Sequence, residues 1–217
     1  MACTICGQIM AHMTADLWAC PACALVTSDI GPDASIYGKE YHEKYVRYAN
    51  TELGEQVSRA RWELVSRHMS KGVLLDYGCG AGHFAQTNPN GCFRVIGYDI
   101  NPYSGVENPM LGQFQAEGVT FWDSLEHVGQ PMVLVDSLRP EFLFITAPDA
   151  LSLPSVFLPE WRHYRPAEHV HYFSRPSFRK MAQVLGYEVL EFNNEEGTIR
   201  NPDHPDWLLS MAARRIR

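Results

Sequence analysis

Apolar positions along this chain change period several times, and each change marks an element. Between residues 51 and 69, Val57, Ala60, Leu64 and Val65 recur at helical spacing, which predicts an amphipathic helix. Val73, Leu74 and Leu75 then run unbroken into Asp76 and a glycine cluster, the pattern of a buried strand entering a tight turn. Three more apolar runs follow: 94–98 ending at Asp99, 119–122 ending at Asp123, and 141–146 ending at Ala147 and Pro148. Residues 131–138 fit a short helix with proline in its first turn, where the missing N–H has no helical partner to lose. Ser174 suits the cap of a further helix, with Pro176 in its first turn, Phe178, Met181, Ala182 and Leu185 on one face, and Gly186 as its stop. Residues 187–192 and 207–213 read as two closing strands, a hairpin pair across a polar, proline-bearing stretch. Strands and helices that alternate in this way imply an α/β fold, a Rossmann-like doubly wound and mainly parallel sheet with a closing antiparallel strand. Ligands then gather at the carboxyl ends of the strands.

Residues 29–50, rich in Tyr, Gly and Lys without a clean period, read as a connector with short helical turns. The chain thus divides into a cysteine-bearing module at 1–28, a connector and leading helix at 29–70, and a main domain at 71–217. A length of 217 residues agrees with one α/β core plus a small appendage. No run of about 18 apolar residues is present, and the first thirty residues hold cysteines and polar groups where an export signal needs an apolar run. A cytoplasmic protein without a membrane partner is expected. The formal net charge of −7 argues against a non-specific grip on phosphate backbones, so a nucleic-acid substrate would need a local basic patch. Residues 162–180 and the tail Arg214, Arg215 and Arg217 are the places for one, although such charges most often line solvated surface.

Cys3, Cys6, Cys20 and Cys23 form two CxxC pairs separated by thirteen residues. Two tight turns that each present two thiolates to one point suit a tetrahedral Zn(II) site, which predicts a zinc ribbon or knuckle. The competing disulfide framework belongs to oxidising compartments. A closed four-thiolate site leaves no open coordination position and is structural; His12 is a conceivable substitute ligand. Cys79 and Cys92 lie in or beside apolar segments and read as small buried hydrophobes, with Cys79 a remote candidate for a methyl-accepting nucleophile.

In LLDYGCGAGHF, Asp76 and Tyr77 precede Gly78, Gly80 and Gly82, a turn whose backbone amides can approach a ligand closely. Asp99 ends the next strand seventeen residues after Gly82, where a carboxylate can accept from both hydroxyls of a ribose. Asp76, the glycines and Asp99 together resemble the first two motifs of class I S-adenosylmethionine-dependent methyltransferases. VTFWDSLEHV and EHVHYFSRPSFRKMAQVLGYEVLEF are similar to later segments of the ubiquinone-biosynthesis-like members, and the N-terminal cysteine module resembles that of the longer zinc-bearing sugar C-methyltransferases. The resemblance implies that Gly78 to Gly82 flank the methionine part of S-adenosylmethionine or S-adenosylhomocysteine, that Asp99 holds the ribose, and that Ile100 and Asn101 lie against the adenosine. It further places Asp123 and Ser124 beside the cofactor. Nineteen residues between Asp99 and Val119 leave little room for the family's third strand, which would be very short, within 110–115, or absent; Glu117 is a candidate for the adenine contact.

Methyl transfer from a sulfonium is an in-line displacement, so alignment contributes most, about 7 to 11 kcal/mol. A base is needed where the acceptor carries a proton. By resemblance to the sugar methyltransferases, His169 is the first choice for that base and His171 the second. Glu126 and His127 are candidates for binding substrate or capping the next helix. A metal site built from His163, His169 and His171 is a further option, and Tyr41, Tyr45 and Tyr48 are a stripe for either core packing or covering the cofactor. The acidic balance favours a small-molecule acceptor, leaving sugar nucleotides, other metabolites, nucleobases and proteins open. A second reading, a non-catalytic zinc-module adaptor with a degenerate domain, is motivated by the shortened interval after Asp99. An NAD-dependent oxidoreductase is disfavoured by the glycine spacing.

Overall fold

A computed structural model describes every residue except 15, 90, 107, 110–114, 156–160 and 217. The N-terminal segment forms three short antiparallel strands, β1 (Ala11–Thr14), β2 (Leu17–Ala19) and β3 (Val26–Ser28). Helices α1 (Lys39–Ala49) and α2 (Glu52–His68) lead into the main sheet, and a short α3 (His83–Gln86) follows the glycine turn. Thr51 caps α2 by accepting from the Gly54 amide, and Val57, Ala60, Leu64 and Val65 all face inward.

The main sheet is built from β4 (Gly72–Tyr77), β5 (Phe93–Tyr98), β6 (Gly118–Trp122), β7 (Phe142–Pro148), β9 (Tyr187–Asn193) and β10 (Leu208–Arg215). Its order is β5-β4-β6-β7-β10-β9, with β4, β5, β6 and β7 parallel and β10 antiparallel to both neighbours. Because β4 lies between β5 and β6, the chain reverses its direction of travel across the sheet beside β4, and the carboxyl ends of these strands form the crevice where α/β sheets bind ligands. Among the described residues β5 is the edge; most of the short strand expected within 110–115 lies outside them.

One face is covered by α2, whose Trp62, Leu64 and Val65 pack with Leu74, Phe93, Trp122 and Phe144. The other is covered by α4 (Pro131–Leu138) and α5 (Arg175–Leu185), with Val135, Phe178 and Met181 against Leu75, Val119, Phe121 and Ile145. Ser174 and Ser177 form a reciprocal cap at the start of α5, and Gly186 ends it at φ 75°, a backbone state that glycine adopts without a Cβ penalty.

Three sequence expectations need revision. Residues 39–49 form one regular helix instead of a connector with short helical turns; the Tyr41, Tyr45 and Tyr48 stripe lies on it, and none of its residues is fully buried. The polar stretch before the last strand contains α6 (Glu195–Arg200), whose hold on the fold is ionic rather than hydrophobic. Cys92 is exposed, not a core residue. The cysteine module is likewise integrated: Cys3, Ile5, Met10 and Leu25 belong to the same apolar cluster as Phe173 and Phe178, and β3 pairs with β8 (His171–Tyr172) of the histidine loop.

A Cβ at Gly197 of α6 would stand 1.9 Å from the Pro205 carbonyl oxygen, a backbone atom that cannot swing aside. Gly197→Ala is therefore expected to cost about 3 kcal/mol in urea denaturation. Gly129→Ala, where a Cβ would meet nothing within 4 Å, should stay within about 0.5 kcal/mol of the parent.

Candidate functional site

The carboxyl ends of β4, β5 and β6 converge on the glycine turn. Gly78 and Cys79 donate their amides to the Tyr98 carbonyl at 2.7 and 3.1 Å, folding the turn over the end of β5. Gly78, at φ 82°, has no room for a side chain, because a Cβ would lie 2.5 Å from Cβ of Ser124. The Ser124 hydroxyl in turn donates to the Tyr77 carbonyl at 2.6 Å. Gly80 differs: at φ 55° a Cβ would project into open space, so the turn presents backbone to solvent there. Tyr77 turns its ring inward, stacked on Tyr98 at 4.7 Å, leaving its main chain at the site.

Asp99 ties the turn to β5. Its Oδ2 accepts from the Gly80 amide and its Oδ1 from the Asn101 amide, both at 2.7 Å. One acceptor position on each oxygen remains, because a carboxylate offers about four. Ile100 is 61% exposed beside it, an apolar surface at the strand end, while Asn101 is buried and accepts from the Tyr103 amide. Asp76 is buried inside the sheet and accepts from the Thr120 hydroxyl at 2.8 Å; burial pushes its carboxyl up to about 6. The Cys79 thiol packs against Gly97, and burial pushes it up to about 12, the state of an inert thiol rather than a nucleophile. Glu117 lies just before the amino end of β6, where it accepts from the Val73 amide, at the opposite end of the strands from the glycine turn.

Asp123 occupies a left-handed backbone state at φ 53°, unusual for a residue with a Cβ. Its Oδ2 accepts from Arg61 at 2.8 Å and from Arg200 at 2.6 Å, and both guanidinium groups also bind Glu196. Although burial opposes ionisation, the two guanidinium groups hold this carboxyl below the ordinary range. Sequence reasoning missed Arg61, Glu196 and Arg200, which lie on α2 and α6 and carry no local signal of their pairing.

After Ser124 the chain makes a 3-10 turn, Leu125–His127, that meets the histidine loop through a hydrogen bond from the Val170 amide to the Glu126 carbonyl at 2.9 Å. Glu126 is fully buried, both carboxyl oxygens lack a hydrogen-bond partner, and burial raises its carboxyl well above the usual range. His127 donates from Nδ1 to the Glu168 carbonyl at 2.8 Å, which leaves Nε2 with the lone pair, 3.9 Å from Glu126 Oε1. The His169 ring stands edge-on to His127 at 4.9 Å, with Nδ1 buried and unpartnered. Burial holds both imidazoles below the usual histidine value, so they are neutral at pH 7.

The structure places His171 elsewhere in role. Its Nε2 donates to the Gly129 carbonyl at 3.3 Å, so Nδ1 accepts from Thr27 of β3 at 3.1 Å. Both nitrogens are thereby engaged in joining the cysteine module to the main domain. His163 contacts Arg162 and the Trp161 ring, and the metal-ligand geometry unites Glu126, His127 and His169 rather than His163, His169 and His171. From α1, Tyr41 donates to Glu168 of the histidine loop at 2.9 Å, and the hydroxyl of Tyr37, just before α1, sits 3.0 Å from His127 Nδ1; Tyr48 of the stripe instead lies by Arg61, Asp123, Glu196 and Arg200.

The four N-terminal cysteine sulfurs lie within 4.8 Å of one another, with Cys3–Cys23, Cys6–Cys20 and Cys6–Cys23 at 3.6, 3.4 and 3.8 Å. The two knuckles repeat one turn: the Gly7 amide donates to the Cys3 carbonyl, and the Ala24 amide to that of Cys20, with Gly7 and Ala24 both at positive φ. His12 packs on Trp18 and is not part of the cluster.

The family model described as a methyltransferase domain matches residues 45–192. No curated protein matches the sequence. The 1,6-didemethyltoxoflavin-N1-methyltransferase of Burkholderia thailandensis, solved with 1,6-didemethyltoxoflavin and S-adenosylhomocysteine, is 13% identical at a TM-score of 0.58, covering 96% of this chain and 99% of that one. The magnesium protoporphyrin IX methyltransferase of Synechocystis, solved with S-adenosylhomocysteine, is 14% identical at a TM-score of 0.61, covering 85% and 100%. A S-adenosylmethionine-dependent methyltransferase from Aquifex aeolicus is 12% identical at a TM-score of 0.56, covering 81% and 98%. At such identities the likeness establishes the Rossmann-like fold. No helix among the described residues is long and apolar enough to cross a membrane.

Asp76 binds its proton more tightly in the folded protein, near pH 6, than in the unfolded chain, near about 3.9. The native state therefore has this contribution in full below about pH 4 and loses it as pH rises through about 6. Asp76→Asn keeps an acceptor for Thr120 without the charge. In the absence of ligand it should exceed the parent by about 2 kcal/mol at pH 8, with the gap closing toward pH 4. Urea denaturation across that range tests this; a difference independent of pH refutes it.

Proposed function

This chain belongs to the methyltransferase-domain family, and from that premise we propose that it transfers a methyl group from S-adenosylmethionine to a small-molecule acceptor, with a structural zinc ion at Cys3, Cys6, Cys20 and Cys23. The observation that carries the reading is Asp99: it draws the Gly80 amide to the end of β5 and keeps one acceptor position on each oxygen for a ribose diol. The open space above Gly80 suits the methionine part of the donor, and exposed Ile100 offers the adenine an apolar face. Asp123 is committed to Arg61 and Arg200, so its main chain, with that of Ser124, is what it contributes to the cofactor.

When bound, the sulfonium supplies an electrophilic methyl carbon, whose bond to sulfur breaks as its bond to the acceptor forms. The protein's part is alignment, and Gly78 against Ser124 fixes the distance between the donor turn and the turn bearing Glu126 and His127. His127, with its proton held on Nδ1 by the Glu168 carbonyl, presents Nε2 to the acceptor side, next to His169. Deprotonation of the acceptor falls to this cluster. The small molecules bound by the Burkholderia enzyme, together with the chain's net charge of −7, favour a small acceptor.

The sulfur geometry fits zinc. Tetrahedral coordination at about 2.3 Å sets sulfur–sulfur edges of about 3.8 Å, close to the three distances found. The ion would hold two knuckles that carry few core residues of their own and, through β3 and β8, hold the histidine loop. The site is closed and takes no part in the chemistry.

Calorimetry with S-adenosylhomocysteine tests the donor assignment. Asp99→Asn, which retains one acceptor oxygen, and Asp99→Ala should both weaken binding at least tenfold; undiminished affinity in both overturns it. For zinc, metal analysis should find at least one ion per chain, and its removal by a chelator should lower the melting temperature. A chain that carries no zinc, or that melts unchanged without it, defeats the structural role.

A further inference from the structure

We propose that Glu126, His127 and His169 form a second metal centre, a site of two imidazoles and one carboxylate for a divalent first-row transition cation, separate from the cysteine cluster. One ligand atom from each residue lies within 4.8 Å of the other two. Glu126 is fully buried with both oxygens unpartnered, and His169, 5% exposed, has Nδ1 buried and unpartnered. A carboxyl group in that position incurs a large desolvation cost unless something satisfies it. One cation satisfies the carboxylate and both imidazoles together.

The surroundings are those of a ligand set. His127 is oriented by its Nδ1 hydrogen bond to the Glu168 carbonyl, the outer contact by which a protein aims the other nitrogen at a metal. His169 is brought to the turn by the hydrogen bond from the Val170 amide to the Glu126 carbonyl. Two nitrogens and an oxygen suit manganese, iron, cobalt, nickel or zinc better than magnesium or calcium. Three protein ligands also leave coordination positions open, the mark of a site that takes a further ligand.

The use of the site rests on the methyl-transfer reading. Glu126 follows Ser124 by two residues, and Ser124 is packed against the donor turn. A cation here would take a hydroxyl oxygen of the acceptor as a ligand and lower its pKa, so that the proton passes to solvent water and the oxygen then forms its bond to the methyl carbon as the carbon–sulfur bond breaks; His127 serves as a ligand rather than as the proton acceptor. The acceptor class is then an alcohol or phenol, methylated on oxygen.

Full-length protein carrying a single equivalent of zinc, held by the four thiolates, is titrated with Co(II) to test the site. One further equivalent should bind, giving visible d–d bands without thiolate-to-cobalt charge transfer. Glu126→Gln and His169→Gln should each weaken uptake at least tenfold. No uptake by the parent protein, charge-transfer bands that place the cobalt on the cysteines, or uptake unchanged by both substitutions would each overturn the proposal. The parent titration decides the matter even where a variant does not fold. Calorimetry with S-adenosylhomocysteine on the same samples reads donor binding independently: silence there, with cobalt still bound, counts against methyl transfer and not against the metal site.

Discussion

The candidate site of this protein depends on the close approach of two strand ends. Where β4 and β6 finish side by side, Ser124 donates to the Tyr77 carbonyl and its Cβ fills the space that a side chain at Gly78 would need. That contact sets the glycine turn on one side and the Glu126–His127 turn on the other at a fixed separation. The methyl transfer proposed for this chain needs such a fixed frame, because in-line displacement tolerates little misalignment.

A second constraint comes from the N-terminus. The cysteine module does not sit apart as a bead on the chain. Its third strand pairs with the histidine loop, its apolar residues enter the main core, and His171 bonds it through Thr27. A segment of this size buries too little apolar surface to be stable alone. The order of the loop that carries His169 is consequently coupled to the geometry of four thiolates at the other end of the same small sheet.

A third lies behind the sheet end. Arg61, Asp123, Glu196 and Arg200 alternate in charge, and the group spans α2, the end of β6 and α6. Two guanidinium groups on Asp123 hold the left-handed backbone that turns the chain toward Ser124. Buried ion pairs add little net stability over apolar packing, but removing one partner strands the other charge at a cost of about 3 to 5 kcal/mol. Placement of the turn, more than gain in stability, is the effect consistent with this geometry.

Local chemistry wrote much of this fold in readable form. The Ser174 cap, the Gly186 stop, the strands ending at Asp76, Asp99 and Asp123, the glycine turn and the paired CxxC knuckles all act through neighbours within a few residues, so their pattern survives in one dimension. What the tertiary structure alone decided involves partners far apart in the chain. The ionic helix α6 has no apolar period to betray it, and α1 showed only a tyrosine stripe among polar residues. His171 was a candidate base in the sequence and became a structural link because Thr27 and Gly129 reach both its nitrogens. Glu126 and His169, separate candidate residues in the sequence, became one unpartnered buried cluster because the histidine loop folds over the 3-10 turn. Burial and partnership are properties of the whole packed chain, and they convert residue types into charge states and roles.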